Sequence, residues 1–154
     1  MPEPGVVVSI EIPAPRDRVW SEVTRLADHV EWMADAESIE FVGDQTEGAG
    51  TRMRVATAFG PLRTTDLMEF TAWEPPHRMA VGHEGLFTGT GEFLLEEAGP
   101  EATRFTWREH IVFPWFFGGP VGAWMARPVF RWVWRRNLHR LRARFTTSSD
   151  DPSA

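Results

Sequence analysis

Residues 103–145 read TRFTWREHIVF-PWFFGGP-VGAWMARPVFRWVWRRNLHRLRARF. The first segment, Thr103 to Phe113, alternates apolar and polar residues and is expected to be a strand. Pro114 to Pro120 is a turn rich in aromatics and glycine. Val121 to Phe145 carries no strand-like alternation and is expected to be one long helix, rich in aromatics and arginine. A terminal helix this apolar must lie against something large, and the only candidate upstream is a series of strands. A long helix held by a curved antiparallel sheet encloses a cavity, and a cavity can hold a ligand.

Upstream, Val6 to Ile12 is β-branched and is expected to be a strand, stopped by Pro13-Ala14-Pro15. Val19, Trp20, Val23 and Leu26 recur at helical spacing after Pro15, which suits a helix start. Asp28 is expected to cap a second short helix containing Val30, Trp32 and Met33. Strands are expected over Ile39–Val42, Thr51–Phe59, Leu62–Trp73, Arg78–Glu84 and Phe87–Glu96, separated by turns at Gly48-Ala49-Gly50, Gly60-Pro61, Pro75-Pro76, near Gly85 and at Gly99-Pro100. Turns this short make antiparallel neighbours. Pro128 removes a helix hydrogen bond and is expected to kink or break the terminal helix. The expected organisation is one α+β domain over 1–147, with a disordered polar tail over 148–154.

Composition narrows the function. The chain has 154 residues, 42% apolar, with net charge −6, which argues against general nucleic-acid binding. All sixteen basic residues are Arg, and there is no Tyr and no Cys, so thiol nucleophiles, disulfides and thiolate metal sites are excluded. No basic region or apolar signal core opens the sequence, and its most apolar window is interrupted by glycine and proline and carries two Arg; a cytoplasmic location is the default expectation.

Several short motifs together resemble the START-related helix-grip superfamily (SRPBCC), in its polyketide cyclase/dehydrase and lipid-transport branch. They are Ile12-Pro13-Ala14-Pro15 before Val19-Trp20, the stretch from Leu26 to Trp32, Phe70 to Arg78 with its Trp73-Glu74-Pro75-Pro76, Gly89-Thr90-Gly91-Glu92-Phe93, Ala102 to Trp107, and Arg136-Asn137-Leu138-His139-Arg140-Leu141. The resemblance covers nearly the whole chain. It implies a sheet of about seven strands around the terminal helix, two short helices after the first strand, and a deep apolar cavity. Members bind lipids, sterols, quinones, polyketides or plant hormones, and some cyclise or dehydrate polyketide precursors. The catalytic members place Arg and Tyr in the cavity; here Phe70 and His83 stand near the expected Arg positions.

Strand parity assigns the inward faces. These are Met53, Val55, Thr57 and Phe59; Thr64, Asp66, Met68 and Phe70; Met79, Val81 and His83; Phe87, Phe93 and Leu95; Phe105, Trp107, Glu109 and Ile111. Ligand contacts are expected from Trp32, Met53, Asp66, Phe70, Phe93, Trp107 and Trp132. Of the ionisable inward residues, His83 and Glu109 form the sharpest candidate pair. A neutral imidazole can take a proton alpha to a carbonyl, and a carboxylate beside Trp107 can orient it or act as acid. The plainer expectation puts both near strand ends, in water or paired with Arg108, Arg52 or Arg54, and makes Asp66 a surface or hairpin residue three positions after Arg63.

The remaining candidates are weaker. His29 with Glu31 and Asp35 lacks a second His, so capping and solvation explain them better and no metal is expected. Gly89-Thr90-Gly91 is no phosphate loop, and no cofactor is expected. Trp124, Trp132 and Leu138 are expected to fill the concave face of the sheet, leaving Trp134 partly exposed.

Three functions follow. The first is a module that binds a small hydrophobic, lipid-, polyketide- or isoprenoid-like ligand. The second is a polyketide cyclase or dehydratase using His83 and Glu109 as acid and base. The third is a peripheral membrane or chaperone-like protein working through its Arg-rich terminal helix. Both monomer and homodimer are compatible with the sequence.

Overall fold

The computed structural model describes residues 5–59 and 61–149. Strand β1 (Val6–Ile12) leads to α1 (Arg16–Val23), a 3-10 turn (Leu26–Asp28) and α2 (His29–Trp32). Strands β2 (Ala36–Phe41), β3 (Arg52–Phe59), β4 (Leu62–Glu74), β5 (Arg78–Glu84), β6 (Thr88–Gly99) and β7 (Ala102–Val112) follow. A second 3-10 turn (Trp115–Phe117) feeds the long helix α3 (Gly119–Ser149). The sheet order is β1-β7-β6-β5-β4-β3-β2, every neighbour antiparallel. This is the expected helix-grip architecture: a curled seven-stranded sheet with a long C-terminal helix.

Local chemistry explains the elements. In β1, residues 6, 8 and 12 are buried while 7, 9 and 11 are exposed, the two-residue period of a sheet with one wet face. Pro15 precedes α1 in extended geometry, and Val19, Trp20 and Val23 form the buried stripe. The Oγ1 of Thr103 donates to the Ala14 carbonyl at 2.7 Å, which pins the β1–α1 corner to the start of β7. A register shift between Phe70 and Ala72 adds one residue to β4. That bulge brings Trp73 to the inner side, edge-on to Phe70 at 5.3 Å and to Trp20 at 5.7 Å.

Four expectations need correction. Of the kink or break expected at Pro128, the break does not occur: Pro128 lies inside α3, where it forfeits a bond to the Trp124 carbonyl on a solvent-facing turn. The helix runs on to Ser149, so residues 148 and 149 are helical rather than tail, and 150–154 lie outside the described residues, as does the turn residue Gly60. Asp28 occupies the position before α2 but makes no capping bond; its carboxylate pairs with Arg25 at 2.9 Å.

The fourth concerns the face that α3 buries. Trp134, Leu138, Leu141 and Phe145 are buried, whereas Trp132 is 61% and Trp124 68% exposed. At about 100° per residue, positions 134, 138, 141 and 145 share one stripe, while 132 and 138 stand about 240° apart and cannot both face the sheet. Asn137 lies on the buried stripe and is fully enclosed. Its Nδ2 donates to Asp35 Oδ1 at 2.8 Å, and its Oδ1 accepts from the Ala34 N–H at 3.0 Å. Those two bonds fasten the helix to the loop between α2 and β2.

Candidate functional site

A cavity of about 350 Å³ lies between the sheet and α3. Its walls are mainly apolar, with Met53, Val55, Met68, Phe70, Met79, Val81, Phe93 and Trp107 from the sheet and Ala126, Val129, Phe130 and Trp134 from the helix. The residues assigned inward on β4 and β5 all line it, as do Met53, Val55 and Thr57 of β3 and Trp107, Glu109 and Ile111 of β7; Phe105 is buried in the core without reaching the cavity, and the side chain of Phe59 lies outside those described. One wall is an aromatic stack: Trp134 lies over Phe130 at 5.0 Å, with planes 7° apart, and over Trp107 at 5.3 Å.

His83, Glu109 and Asp66 all line this cavity. The Nε2 of His83 is 3.2 Å from Oε1 of Glu109; Glu109 is buried, 8% exposed, and His83 mostly so, 11% exposed. The same oxygen accepts a longer bond, 3.4 Å, from the Trp107 indole N–H. Glu109 faces Gly91 across β6 and β7. A Cβ on Gly91 would collide with Oε1 of Glu109, so the missing side chain is what lets the carboxylate lie there. The plainer reading of these two residues therefore fails: Arg108 pairs with Glu92 and Arg52 with Glu69, on the outer face. Asp66 is likewise buried, and Arg63 pairs with Glu37 instead.

Burial sets the charges. It pulls His83 down, but the hydrogen bond and charge of Glu109, with the charge of Asp66, outweigh it and leave the imidazole above its ordinary value. Burial raises the Asp66 carboxyl, opposed by a bond from the Thr64 hydroxyl and by the charge of His83. One Asp66 oxygen, Oδ1, is buried against Gly85, and the Leu86 backbone N–H also favours the charged carboxylate. Among the described residues the cavity lining includes no Arg, in a chain without Lys.

The other expected contacts divide. Met53, Phe70, Phe93 and Trp107 line the cavity. Trp32 is fully buried one layer behind it, packed on His29, Phe93 and Trp107. Trp132 points to the opposite side of α3, and Trp134 takes the place assigned to it. His29 is neither cap nor solvated: it lines the cavity, Nε2 donates to the Val23 carbonyl at 2.7 Å, and burial lowers its value to about 4, keeping it neutral. Asp35 also lines the cavity, its carboxyl raised by burial against the donation from Asn137. The signal for Asn137 was present in the sequence, as a single polar residue on the 134/138/141 stripe.

The curled sheet, gripping helix and enclosed apolar cavity define the helix-grip class of START-like proteins. Within that class, residues 3–146 match the family described as polyketide cyclase / dehydrase and lipid transport, and the chain belongs to it. Among solved structures, it is similar to a Thermus thermophilus protein (24% identity, TM-score 0.79, covering 96% of this chain and 100% of the other). It is also similar to the ZhuI aromatase/cyclase from Streptomyces (16%, TM-score 0.71, 95% of each chain). A START superfamily protein from Mycobacterium smegmatis matches at 13% identity with TM-score 0.72, covering 92% of this chain and 97% of that one. At these identities the likeness is one of fold. No curated protein matches.

Proposed function

We propose that this protein binds one small hydrophobic molecule between its sheet and α3, with the ligand's polar end held at the His83–Glu109 pair. The observation that carries the reading is the cavity itself: about 350 Å³ of mainly apolar space with one buried, hydrogen-bonded ionisable pair in its wall. That volume is at the lower end of the roughly 300–1,000 Å³ usual for small-molecule sites, which favours a ring system or a single chain over a two-chain lipid. The side chains proposed to touch it are Met53, Phe70, Phe93, Trp107 and Trp134. With four carboxyl-bearing residues in the lining (Asp35, Asp66, Glu92 and Glu109) and no Arg there among the described residues, a neutral hydroxyl or carbonyl end fits better than a carboxylate.

A second reading is favoured by one contact. His83 and Glu109 meet at 3.2 Å inside the cavity, an arrangement able to move a proton at a carbon alpha to a ligand carbonyl and to return it to the oxygen, as cyclisation or dehydration of a polyketide-like compound requires. Native mass spectrometry of gently purified protein, followed by identification of the released compound, tests binding; a clean apo mass and no uptake of aromatic polyketide analogues would remove the reading. His83→Ala and Glu109→Gln then separate the two. A carrier changes only in affinity, whereas an enzyme loses turnover and largely keeps affinity.

A further inference from the structure

Helix α3 has a second apolar face, pointing away from the sheet. Val121, Trp124, Met125, Val129 and Trp132 are all exposed. At about 100° per residue Val121, Met125, Val129 and Trp132 fall on one outward stripe, opposite Trp134, Leu138 and Leu141, while Trp124 stands at its edge, exposed but on the side nearer Leu138. The preceding turn adds exposed Trp115 (86%) and Phe116. Scattered exposed apolar side chains are ordinary, but seven on one helix and the turn that feeds it, three of them tryptophan, are not. Nothing in the core accounts for them.

The same stripe continues beyond Trp132 with Arg135, Arg136 and His139, flanked by Arg131. The helix carries seven Arg and no acid, in a chain of net charge −6. The Arg at the far end are used internally: Arg140 binds the Glu31 carbonyl, and Arg144 pairs with Glu22 and Glu31. Arg131 and Arg135 make no ion pair among the described residues, and the Arg136 guanidinium lies over the Trp132 ring at 5.3 Å. Phe117 and Val129 are both exposed and part of the cavity wall, so the cavity reaches the surface at this patch.

We propose that the outward face of α3 and the Trp115–Phe117 turn dock on an anionic phospholipid bilayer, with Trp115, Phe116, Trp124 and Trp132 in the interface and Arg131, Arg135 and Arg136 on the lipid phosphates. The chemistry is that of an interfacial helix, apolar aromatics beside arginine. Charge complementarity decides the occupant. A second copy of this chain would bring a like-charged arginine stripe against this one, whereas an anionic surface attracts the stripe and repels the acidic remainder, which fixes the orientation. Among the described residues no helix is long and apolar enough to cross a membrane, and the proposed contact is a peripheral one. Docked this way, the cavity mouth faces the lipid. The proposal needs no bound ligand and can fail while the cavity reading stands.

The test is flotation with phosphatidylcholine vesicles containing phosphatidylglycerol, against pure phosphatidylcholine, at low and high salt. Binding is expected only to the anionic vesicles and is expected to weaken as salt screens the surface. Arg135→Gln/Arg136→Gln should weaken it about thirtyfold, the loss of two cations close to an anionic surface. Trp124→Ser/Trp132→Ser should abolish it at unchanged thermal midpoint, since both side chains are solvent-facing. Equal binding to neutral vesicles, no binding at low salt, or a dimer in sedimentation that the Trp124→Ser/Trp132→Ser change dissolves would overturn the proposal.

Discussion

Asn137→Ala should be among the most damaging single changes outside the apolar core. The side chain is fully buried and makes two bonds, one to the Asp35 carboxylate at 2.8 Å and one from the Ala34 N–H at 3.0 Å. A bond to a charged group contributes about 1.5–3 kcal/mol, and a neutral one about 0.5–1.5. Losing both should cost about 2–4 kcal/mol, or a fall in Tm of roughly 5–15 °C for a chain of this length. The loss should depend on pH. Asp35 is already raised by burial, and the Asn137 donation acts in the opposite direction. Removing the donor raises the folded-state carboxyl further. A carboxyl raised on folding destabilises the fold above its folded value, and that penalty fades as pH falls towards its ordinary 3.8. The deficit of the variant should therefore be full at neutral pH and shrink in acid. Urea titrations at both pH values measure it. A deficit under about 1 kcal/mol, or one equal at the two pH values, would refute the assignment of these bonds.

Two further measurements probe the fold. Trp134→Ala should cost about 3–5 kcal/mol, because it removes the ring stacked on Phe130 and Trp107, whereas Trp132→Ala should stay within about 0.5 kcal/mol; equal effects in thermal melts would mean the helix phase is misread. His29 stands near 4 when folded against 6.5 in an open chain, so it contributes stability that is present above pH 6.5 and is lost as pH falls towards 4. That gap of about 2.5 units corresponds to about 3 kcal/mol, and His29→Gln should flatten this part of the stability profile; an unchanged slope would contradict a buried neutral imidazole.

Element order, pairing and inward strand parity were legible because each rests on local chemistry: alternation in β3 to β7, and glycine or proline at the turns. The phase of α3 was not. Apolar side chains surround that helix, so composition could not say which stripe faces the sheet, and Trp132 was assigned inward where Trp134 belongs. The burial of His83 and Glu109 was illegible for a related reason. Whether a polar residue near a strand end meets water depends on what covers it, and here the cover is α3 and the space above Gly91, both distant in sequence.

The His83–Glu109 pair is poorly explained by stability. Taking two charges out of water generally costs as much as their attraction returns, and replacing a buried pair by apolar side chains is often neutral or stabilising by about 1–4 kcal/mol. Removing one partner is different, since it strands the other and costs about 3–5 kcal/mol. His83→Leu alone and Glu109→Leu alone should therefore destabilise, while His83→Leu/Glu109→Leu should melt at or above the parent temperature and lose the ability to orient a polar ligand. If the double variant is as unstable as either single one, the pair is a structural tie between β5 and β7, and its proposed part in ligand recognition falls. If stability returns while binding does not, the cavity keeps two ionisable groups that its fold does not need, and the ligand is what they face.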